Sequence, residues 1–319
     1  DWAARHGLSG QKGLEEALRQ GRSGATLDLT AKQLRSLIDS RDAALAGIEL
    51  HEPGKDTIDD AMDATSISAS ALPNATTRGN GIGIYMTESG CADESRITNY
   101  DRLSGSETDH SRNVGAILRA VSPESFIYCR GGAVLPEDSD LDGVGGNSPI
   151  HVVNRSNGGN DSTGYNTTDR DWDNFIYDDK IATFVSAGNN GAGTGNTISP
   201  AKGLNVITVG NYNDANDTIS GTSSFVEPET GNDKPEISAP GTSIDAGGFT
   251  MSGTSMSSPH AAAFAADMMS HSTYLQYRPQ LVKAKIMAGA TDPIGGGYNK
   301  VGLGGIDFAS AQWSGHWFW

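Results

Sequence analysis

The sequence predicts an α/β fold, namely a three-layer, doubly wound and mostly parallel sheet. From about residue 78 onward, short continuous apolar runs are closed by Gly, Ser or Asn, as expected for strands covered by helices on both faces. Segments with apolar residues at helical spacing lie between or after these runs. The predicted strands are residues 81–86, 125–129, 150–154, 181–188 and 205–210, and the predicted helices are residues 111–121, 258–272 and 278–289. In such a sheet, ligands bind beyond the carboxyl ends of the strands.

The first 60 residues differ in pattern from the rest. They carry two segments with helical spacing, and Thr30 is positioned to cap the second. The stretch "HEPGKD" (51–56) then breaks the pattern and predicts a linker. We therefore predict a helical N-terminal extension over residues 1–60 and a main domain over residues 61–319.

Charge restricts the partners of this chain. Its net charge is -16, which argues against nucleic acid or an anionic membrane surface as a partner. No apolar run is long enough to span a bilayer. The chain opens on Asp1 without a charged-then-apolar leader, which is compatible with a signal peptide that has been removed. We expect a secreted or otherwise exported protein.

Cys91 and Cys129 are the two cysteines of the chain. Two cysteines cannot form a zinc site alone, and no CxxC spacing is present. A single disulfide and two buried free thiols remain as alternatives.

Polar residues stand where predicted strands end and helices begin. Glu88 and Asn189 each follow a predicted strand, His110 opens a predicted helix, and Ser255 precedes the alanine-rich helix. Because the carboxyl ends of parallel strands share one edge of the sheet, these side chains could converge there. An acid, a histidine and a serine together are the set that acyl transfer needs.

Four segments resemble motifs of the subtilisin-like serine proteases. "GTSMSSPHAAA" is similar to the nucleophile motif, which marks Ser255, and "SAGNNG" is similar to the oxyanion-hole motif, which marks Asn189. "VVNRSNGG" (152–159) resembles the strand that pairs with the substrate backbone and lines its primary pocket, and "APGTSI" (239–244) matches a more remote segment. The order acid, His, Ser also agrees with this family. The resemblance covers about residues 78–312 and implies a subtilisin-like fold.

The resemblance implies a serine endopeptidase that hydrolyses peptide bonds through an acyl-enzyme on Ser255. His110 would be the base and Glu88 the carboxylate that orients it. The substrate would be a protein or peptide, and no cofactor is required. The residues implied to bind substrate are Ser156, Asn157, Gly158, Ala187 and Gly188. The alternative is a catalytically impaired subtilisin-like module that acts in binding or regulation.

The acid and histidine motifs depart from the family pattern. The family has Asp at the acid position, whereas this chain has Glu88 within "MTESG". The alternative is that Glu88 is a solvated turn residue and that Asp93 supplies the carboxylate. The segment "HSRNVG" lacks the small residues and second histidine that usually follow the base. Arg112 in that segment would lower the pKa of His110 if the two approach each other.

Two polar stretches lack a family counterpart. Residues 130–149 show no convincing helix, so we expect a reshaped substrate cleft there, and we interpret residues 160–179 as an insertion beside the active site. Within the first stretch, "DSDLDG" resembles the start of a calcium loop, although Pro149 stands where an EF-hand needs Glu. Calcium is possible, but a solvated acidic turn is the favoured interpretation. The three acids are Asp138, Asp140 and Asp142.

The N-terminal extension carries a second resemblance. "ATLDLTAKQLRSLIDSRDAALAGIEL" is similar to the later half of the propeptides that chaperone subtilisin-like proteases and block their clefts. It could therefore act as an intramolecular inhibitor. A helical extension that packs on the enzyme surface is the slightly favoured alternative, because the segment is short and lacks the first half of a propeptide.

Overall fold

A computed structural model describes residues 57–65, 78–159, 163–229, 234–290 and 293–313 of the chain. Within these ranges, strands and helices alternate as the sequence predicts. The strands are β1 (Gly83–Glu88), β2 (Tyr100–Ser104), β3 (Phe126–Gly131), β4 (Ile150–Arg155), β5 (Ala182–Ser186), β6 (Ile207–Asn213), β7 (Thr218–Ile219), β8 (Ile237–Pro240), β9 (Ile244–Ala246) and β10 (Phe249–Met251).

Helices of very different length connect these strands. The α-helices are α1 (Thr57–Ala64), α2 (Asp109–Val121), α3 (Asp138–Leu141), α4 (Thr167–Asp179), α5 (Thr254–His271), α6 (Pro279–Gly289), α7 (Tyr298–Val301) and α8 (Phe308–Trp313). Short 3₁₀ turns cover Glu94–Arg96, Val144–Gly146 and Thr273–Leu275. Among the described helices, none combines the length and the apolar character that a membrane span requires.

Eight of the strands form one sheet. Its order is β2-β3-β1-β4-β5-β6-β7, with β8 also paired to β6. All of these pairings are parallel except that of β6 with β7, and β9 and β10 form a separate antiparallel hairpin. The predicted doubly wound, mostly parallel sheet is confirmed.

The core lies on both faces of the sheet. Along β1, Ile84 and Met86 belong to the hydrophobic cluster that includes residues of α2 and α5, whereas Tyr85 belongs to the cluster on the opposite face. That second cluster contains Trp172, Phe175 and Ile176 of α4. Because successive side chains of a strand point to opposite faces, continuous apolar runs are needed to fill both layers.

Helix α5 runs through the interior, with 15 of its 18 residues buried. Its alanines from Ala261 to Ala263 allow close approach to the sheet, and Phe264 is fully buried against Phe308. The predicted start at residue 258 is wrong, because the helix begins at Thr254. Pro259 therefore lies in the second turn, where its missing N–H leaves the carbonyl of Ser255 without a helical donor.

Several elements were not predicted, among them β2, α4 and the one-turn helix α3, which lies within residues 130–149 where no helix was expected. Strand β2 is an edge strand of mostly half-buried residues, so it lacks a continuous apolar run. Residues 167–179, interpreted above as part of an insertion, form α4, the crossover helix between β4 and β5. Asn166 caps α4 by accepting from the N–H groups of Thr168 and Asp169.

The predicted extension over residues 1–60 falls almost entirely outside the described residues, so that division stays a prediction. Residues 57–64 form α1, and Thr65 follows it. Thr65 Oγ1 lies 2.9 Å from Nε2 of His260 on α5, and burial lowers the pKa of His260 to about 3. His260 is therefore a neutral packing residue.

A disulfide links Cys91 to Cys129, with an S–S distance of 2.05 Å. It resolves the alternatives left open for the two cysteines. Because Cys91 lies three residues beyond the end of β1 and Cys129 lies on β3, the bond ties the loop that follows Glu88 to the sheet.

Candidate active site

The four predicted catalytic residues gather at the carboxyl edge of the sheet. Glu88 is the last residue of β1, and Asn189 lies three residues beyond the end of β5. His110 and Ser255 are the second residues of α2 and α5, respectively. A cleft at this edge is lined by Ser89, His110, Ser156, Asn157, Gly158, Ser186, Gly188, Asn189, Ile198, Thr254 and Ser255.

A hydrogen bond joins Glu88 to His110. Oε2 of Glu88 lies 3.0 Å from Nδ1 of His110, and Glu88 is completely buried. Since a carboxylate can only accept, Nδ1 carries the proton and Nε2 of the neutral ring is left as the acceptor. The same Oε2 accepts from the N–H of Ser89 at 3.3 Å, while Oε1 is buried and has no hydrogen-bond partner among the described residues.

Local sequence holds both residues in place. Thr108 caps α2 by accepting from the N–H of Ser111, whose hydroxyl accepts in turn from the N–H of Thr108. This capping box fixes the turn on which His110 stands. On the β1 side, the carbonyl of Glu88 accepts from the N–H of Gly132 at 2.7 Å.

The environment raises the pKa of His110 above its ordinary value of 6.5. Burial alone lowers this pKa, but the hydrogen bond from His110 to Glu88 and the negative charge of Glu88 outweigh it. Arg112 was expected to lower this pKa only if it approached His110, and it is not among the groups that shift the pKa. Its guanidinium pairs with Glu107 at 3.1 Å and donates to the carbonyl of Gly247 at 3.0 Å.

We expect kcat/KM for peptide hydrolysis to rise with pH, with a midpoint above pH 6.5, because His110 accepts a proton only when neutral. Rates measured from about pH 5 to pH 9 at constant ionic strength check this. A profile that is flat over this range, or that has a midpoint below the ordinary histidine value, would contradict the role given to His110.

Asp93, the alternative acid, does not contact His110. Its carboxylate caps the turn Glu94–Arg96, accepting from the N–H and hydroxyl of Ser95 at 3.0 and 2.6 Å. These two hydrogen bonds from Ser95 lower the pKa of Asp93. The structure thus places Glu88, and not Asp93, beside the imidazole.

Ser255 shares the cleft with His110 but is not hydrogen-bonded to it. Its hydroxyl donates to the backbone carbonyl of Ser156 at 2.8 Å. A rotation about one side-chain bond would turn the Ser255 hydroxyl toward His110. The hydrogen bond between a nucleophile and its base is often formed only when substrate is bound.

Asn189 is oriented by the turn before α5. Its Oδ1 accepts from the N–H and hydroxyl of Thr254 at 3.2 and 3.3 Å, which leaves Nδ2 as the group able to donate. The N–H of Ser255 lies in the first turn of α5, where helical N–H groups have no intrahelical acceptor. These two donors suit a developing oxyanion.

Backbone segments form the remaining walls of the cleft. Ser156, Asn157 and Gly158 line it, as does Gly188, whose φ of +104° suits glycine. Ala187 was also predicted to bind substrate, but it does not line the cleft. Its N–H donates to the carbonyl of Val209, and its carbonyl accepts from the N–H of Ile198, so both backbone groups are already paired within the protein.

Arg155 braces one of these walls. Its guanidinium donates to the carbonyls of Ala133 and Asn157 at 2.6 and 3.0 Å and lies over the ring of Trp172. It therefore ties the wall at residues 156–158 to the segment after β3.

Sequence reasoning missed four lining residues: Ser89, Ser186, Ile198 and Thr254. Three of them adjoin residues that the motifs mark, so the motifs carried a signal. Ile198 lies beyond any motif and enters the cleft only through the fold.

The calcium prediction is not tested by this structure. Asp140, however, is nearly fully buried and accepts from Nη2 of Arg130 at 2.9 Å with both oxygens. Asp138 and Asp142 are exposed. In the part of the chain that the structure describes, no three acidic, histidine or cysteine side chains are grouped as a metal site requires.

Comparisons with known proteins agree with this geometry. The chain matches the Subtilase family (Peptidase S8) over residues 64–307 of its 319. The search of curated proteins gives no match.

Two solved structures share the fold. The prenylagaramide maturation protease PagA superposes with a TM-score of 0.62 at 18% identity, over 82% of this chain and 98% of PagA. A lanthipeptide protease superposes with a TM-score of 0.60 at 19% identity, over 81% of this chain and 95% of that protease. The fold is thus subtilisin-like, and since the family match spans most of its length, the chain belongs to the Subtilase family of serine peptidases.

Proposed function

We propose that the protein is a serine endopeptidase whose triad is Glu88, His110 and Ser255. The observation that carries this proposal is the 3.0 Å contact between the buried Glu88 carboxylate and Nδ1 of His110, at a cleft that also contains Ser255 and Asn189. Carboxylates of either length orient histidine in triads on other folds, so Glu is chemically adequate.

The reaction follows from the positions of these groups. Glu88 holds the Nδ1–H of His110, so Nε2 can accept the hydroxyl proton of Ser255 once that hydroxyl turns away from the Ser156 carbonyl. The Ser255 oxygen then attacks the carbonyl carbon of the peptide bond. The amine leaves with the proton held by His110, and water hydrolyses the acyl-enzyme by the same base.

Asn189 and the N–H of Ser255 would receive the negative charge that develops on the carbonyl oxygen. We expect Asn189→Ala to lower kcat by about 10²–10³-fold, the range found for such a donor in subtilisin. Steady-state kinetics on a peptide substrate measure this. Asn190→Ala is the matched control, because Asn190 bonds the carbonyl of Asn196 and is outside the cleft lining. Equal losses in both variants would remove the oxyanion role.

The substrate is proposed to be an extended protein or peptide. Residues 156–158 line the cleft beside the nucleophile and directly follow strand β4, a position that suits pairing with an extended chain. One of the two solved structures named above is a lanthipeptide protease and the other is a maturation protease, which favours a peptide substrate here.

Export, calcium binding and inhibition by the N-terminal extension stay predictions. The Cys91–Cys129 disulfide is of the type that persists in oxidising compartments, which agrees with export.

A fluorophosphonate probe tests the proposal directly. Folded protein should be labelled, peptide mapping should place the adduct on Ser255, and heat-unfolded protein should not react. No labelling of the folded protein would instead support the impaired binding or regulatory module. An adduct on a different serine would remove Ser255 as the nucleophile.

A further inference from the structure

Ile198 is the one apolar side chain, glycines aside, among the described residues that line the cleft. It is half-buried and lies between the two walls that flank Ser255. A Cβ added to Gly158 would lie 2.1 Å from Cδ1 of Ile198, and a Cβ added to Gly188 would lie 3.1 Å from its Cγ1. The isoleucine therefore fills the space that two missing side chains leave open.

The backbone of Ile198 is held on both sides. Its N–H donates to the carbonyl of Ala187 at 3.2 Å, and its own carbonyl accepts from the N–H of Ala201 at 2.7 Å. The next residue, Ser199, is buried and accepts from Nζ of Lys202 at 2.6 Å. Isoleucine is also stiff at χ1, so the side chain has little freedom to leave the gap.

Both walls reach the nucleophile. The carbonyl of Ser156 accepts from the hydroxyl of Ser255, and Asn189, the proposed oxyanion donor, directly follows Gly188. A residue that presents its carbonyl carbon to Ser255 thus carries its side chain beside the gap between Gly158 and Gly188.

We propose that Ile198 restricts the residue before the cleaved bond to Gly, Ala or Ser. This inference rests on the proposed endopeptidase function and specifies its substrate class. A benzyl or isobutyl side chain would need the volume that Ile198 occupies, and in a close-packed wall that volume is regained only by moving backbone.

Diphenyl phosphonates that differ only in one side chain read this pocket, since the Ser255 oxygen bonds to phosphorus and displaces phenoxide. The methyl probe should modify wild-type Ser255 at least about tenfold faster than the benzyl probe. In Ile198→Ala this methyl-to-benzyl ratio should fall by about tenfold or more, with a smaller fall in Ile198→Val. Leu204→Ala, which removes an exposed apolar side chain outside the cleft lining, should leave the ratio unchanged.

The methyl and benzyl rates are compared within the same protein, so a general loss of Ser255 reactivity in a variant does not change their ratio. A wild-type preference for the benzyl probe, or an equal ratio in wild type and Ile198→Ala, would overturn the inference while leaving the peptidase intact. If Ile198→Ala does not fold, an unchanged ratio in Ile198→Val overturns it. If even a fluorophosphonate fails to label the folded wild type, the proposed function falls and this inference falls with it.

Discussion

Replacing Ser255 with Ala is expected to lower kcat for peptide hydrolysis by about 10⁶-fold, the loss found for the nucleophile of subtilisin. The residual rate would come from the oxyanion donors and from binding alone. The carbonyl of Ser156 would also lose its hydrogen bond from Ser255, so the free energy of unfolding should fall by about 1 kcal/mol. Burst kinetics and denaturant unfolding on the same preparation separate the two effects.

Ser257→Ala is the matched control on the same helix. Ser257 is fully buried, and its hydroxyl has no hydrogen-bond partner among the described residues. Removing an unsatisfied polar atom should leave kcat unchanged and keep or raise the free energy of unfolding. Substantial hydrolysis by pure Ser255→Ala protein would show that the nucleophile lies elsewhere.

The sheet was predictable because burial on both faces leaves a strong trace in the sequence. Each of the five predicted strands overlaps a strand of the sheet, and each supplies apolar residues to both core layers. Strand β2 was not predicted, because an edge strand buries few side chains and so lacks a continuous apolar run in its sequence. Helix α4 was not predicted, because charged residues stand between and around its buried residues Trp172, Phe175 and Ile176, and these charges mask the apolar pattern in the sequence.

The candidate site divides along the same line. The positions of Glu88, His110, Asn189 and Ser255 follow from strand ends, helix starts and motif resemblance, which are local features. What each side chain touches was not predictable, because it depends on contacts between distant segments. The hydrogen bond from the Ser255 hydroxyl to the Ser156 carbonyl joins residues 99 apart in the sequence. The hydrogen bond from the N–H of Thr254 to Asn189 joins residues 65 apart.

Helix starts show the limit of local rules. Proline is favoured in a first helical turn, and the helix predicted over residues 258–272 would place Pro259 there. In the fold, α5 begins at Thr254, where its first turn brings Thr254 against Asn189. Tertiary contacts override the local preference, and this shift puts Ser255 inside the helix, with its N–H among the free donors of the first turn.

Glu88→Gln is expected to lower kcat by about 10⁴-fold, as replacing the carboxylate of a triad by its amide does elsewhere. The amide keeps the shape of Glu88 but no longer favours the tautomer of His110 that leaves Nε2 free. The same change removes the carboxylate acceptor and its negative charge, which raise the pKa of His110, so the lowering effect of burial prevails. The midpoint of the kcat/KM profile should therefore move to lower pH while the rate falls.

Stability should respond with a defined sign. Because the pKa of folded His110 is raised, its interaction with Glu88 stabilises the fold in full below pH 6.5 and is lost as the pH rises through the folded value. The difference in unfolding free energy between wild type and Glu88→Gln should thus be largest in mild acid and smaller in alkali.

Glu107→Gln is the matched control for this variant. Glu107 lies near the start of α2, where it pairs with Arg96 and Arg112 at 3.0 and 3.1 Å, and it does not contact His110. It should leave both kcat and the midpoint unchanged, since its ion pairs are partly exposed and surface pairs contribute little. A rate loss in Glu88→Gln without any movement of the midpoint would mean that the carboxylate only supports the fold. A midpoint that moves to higher pH would mean that another acid holds the imidazole.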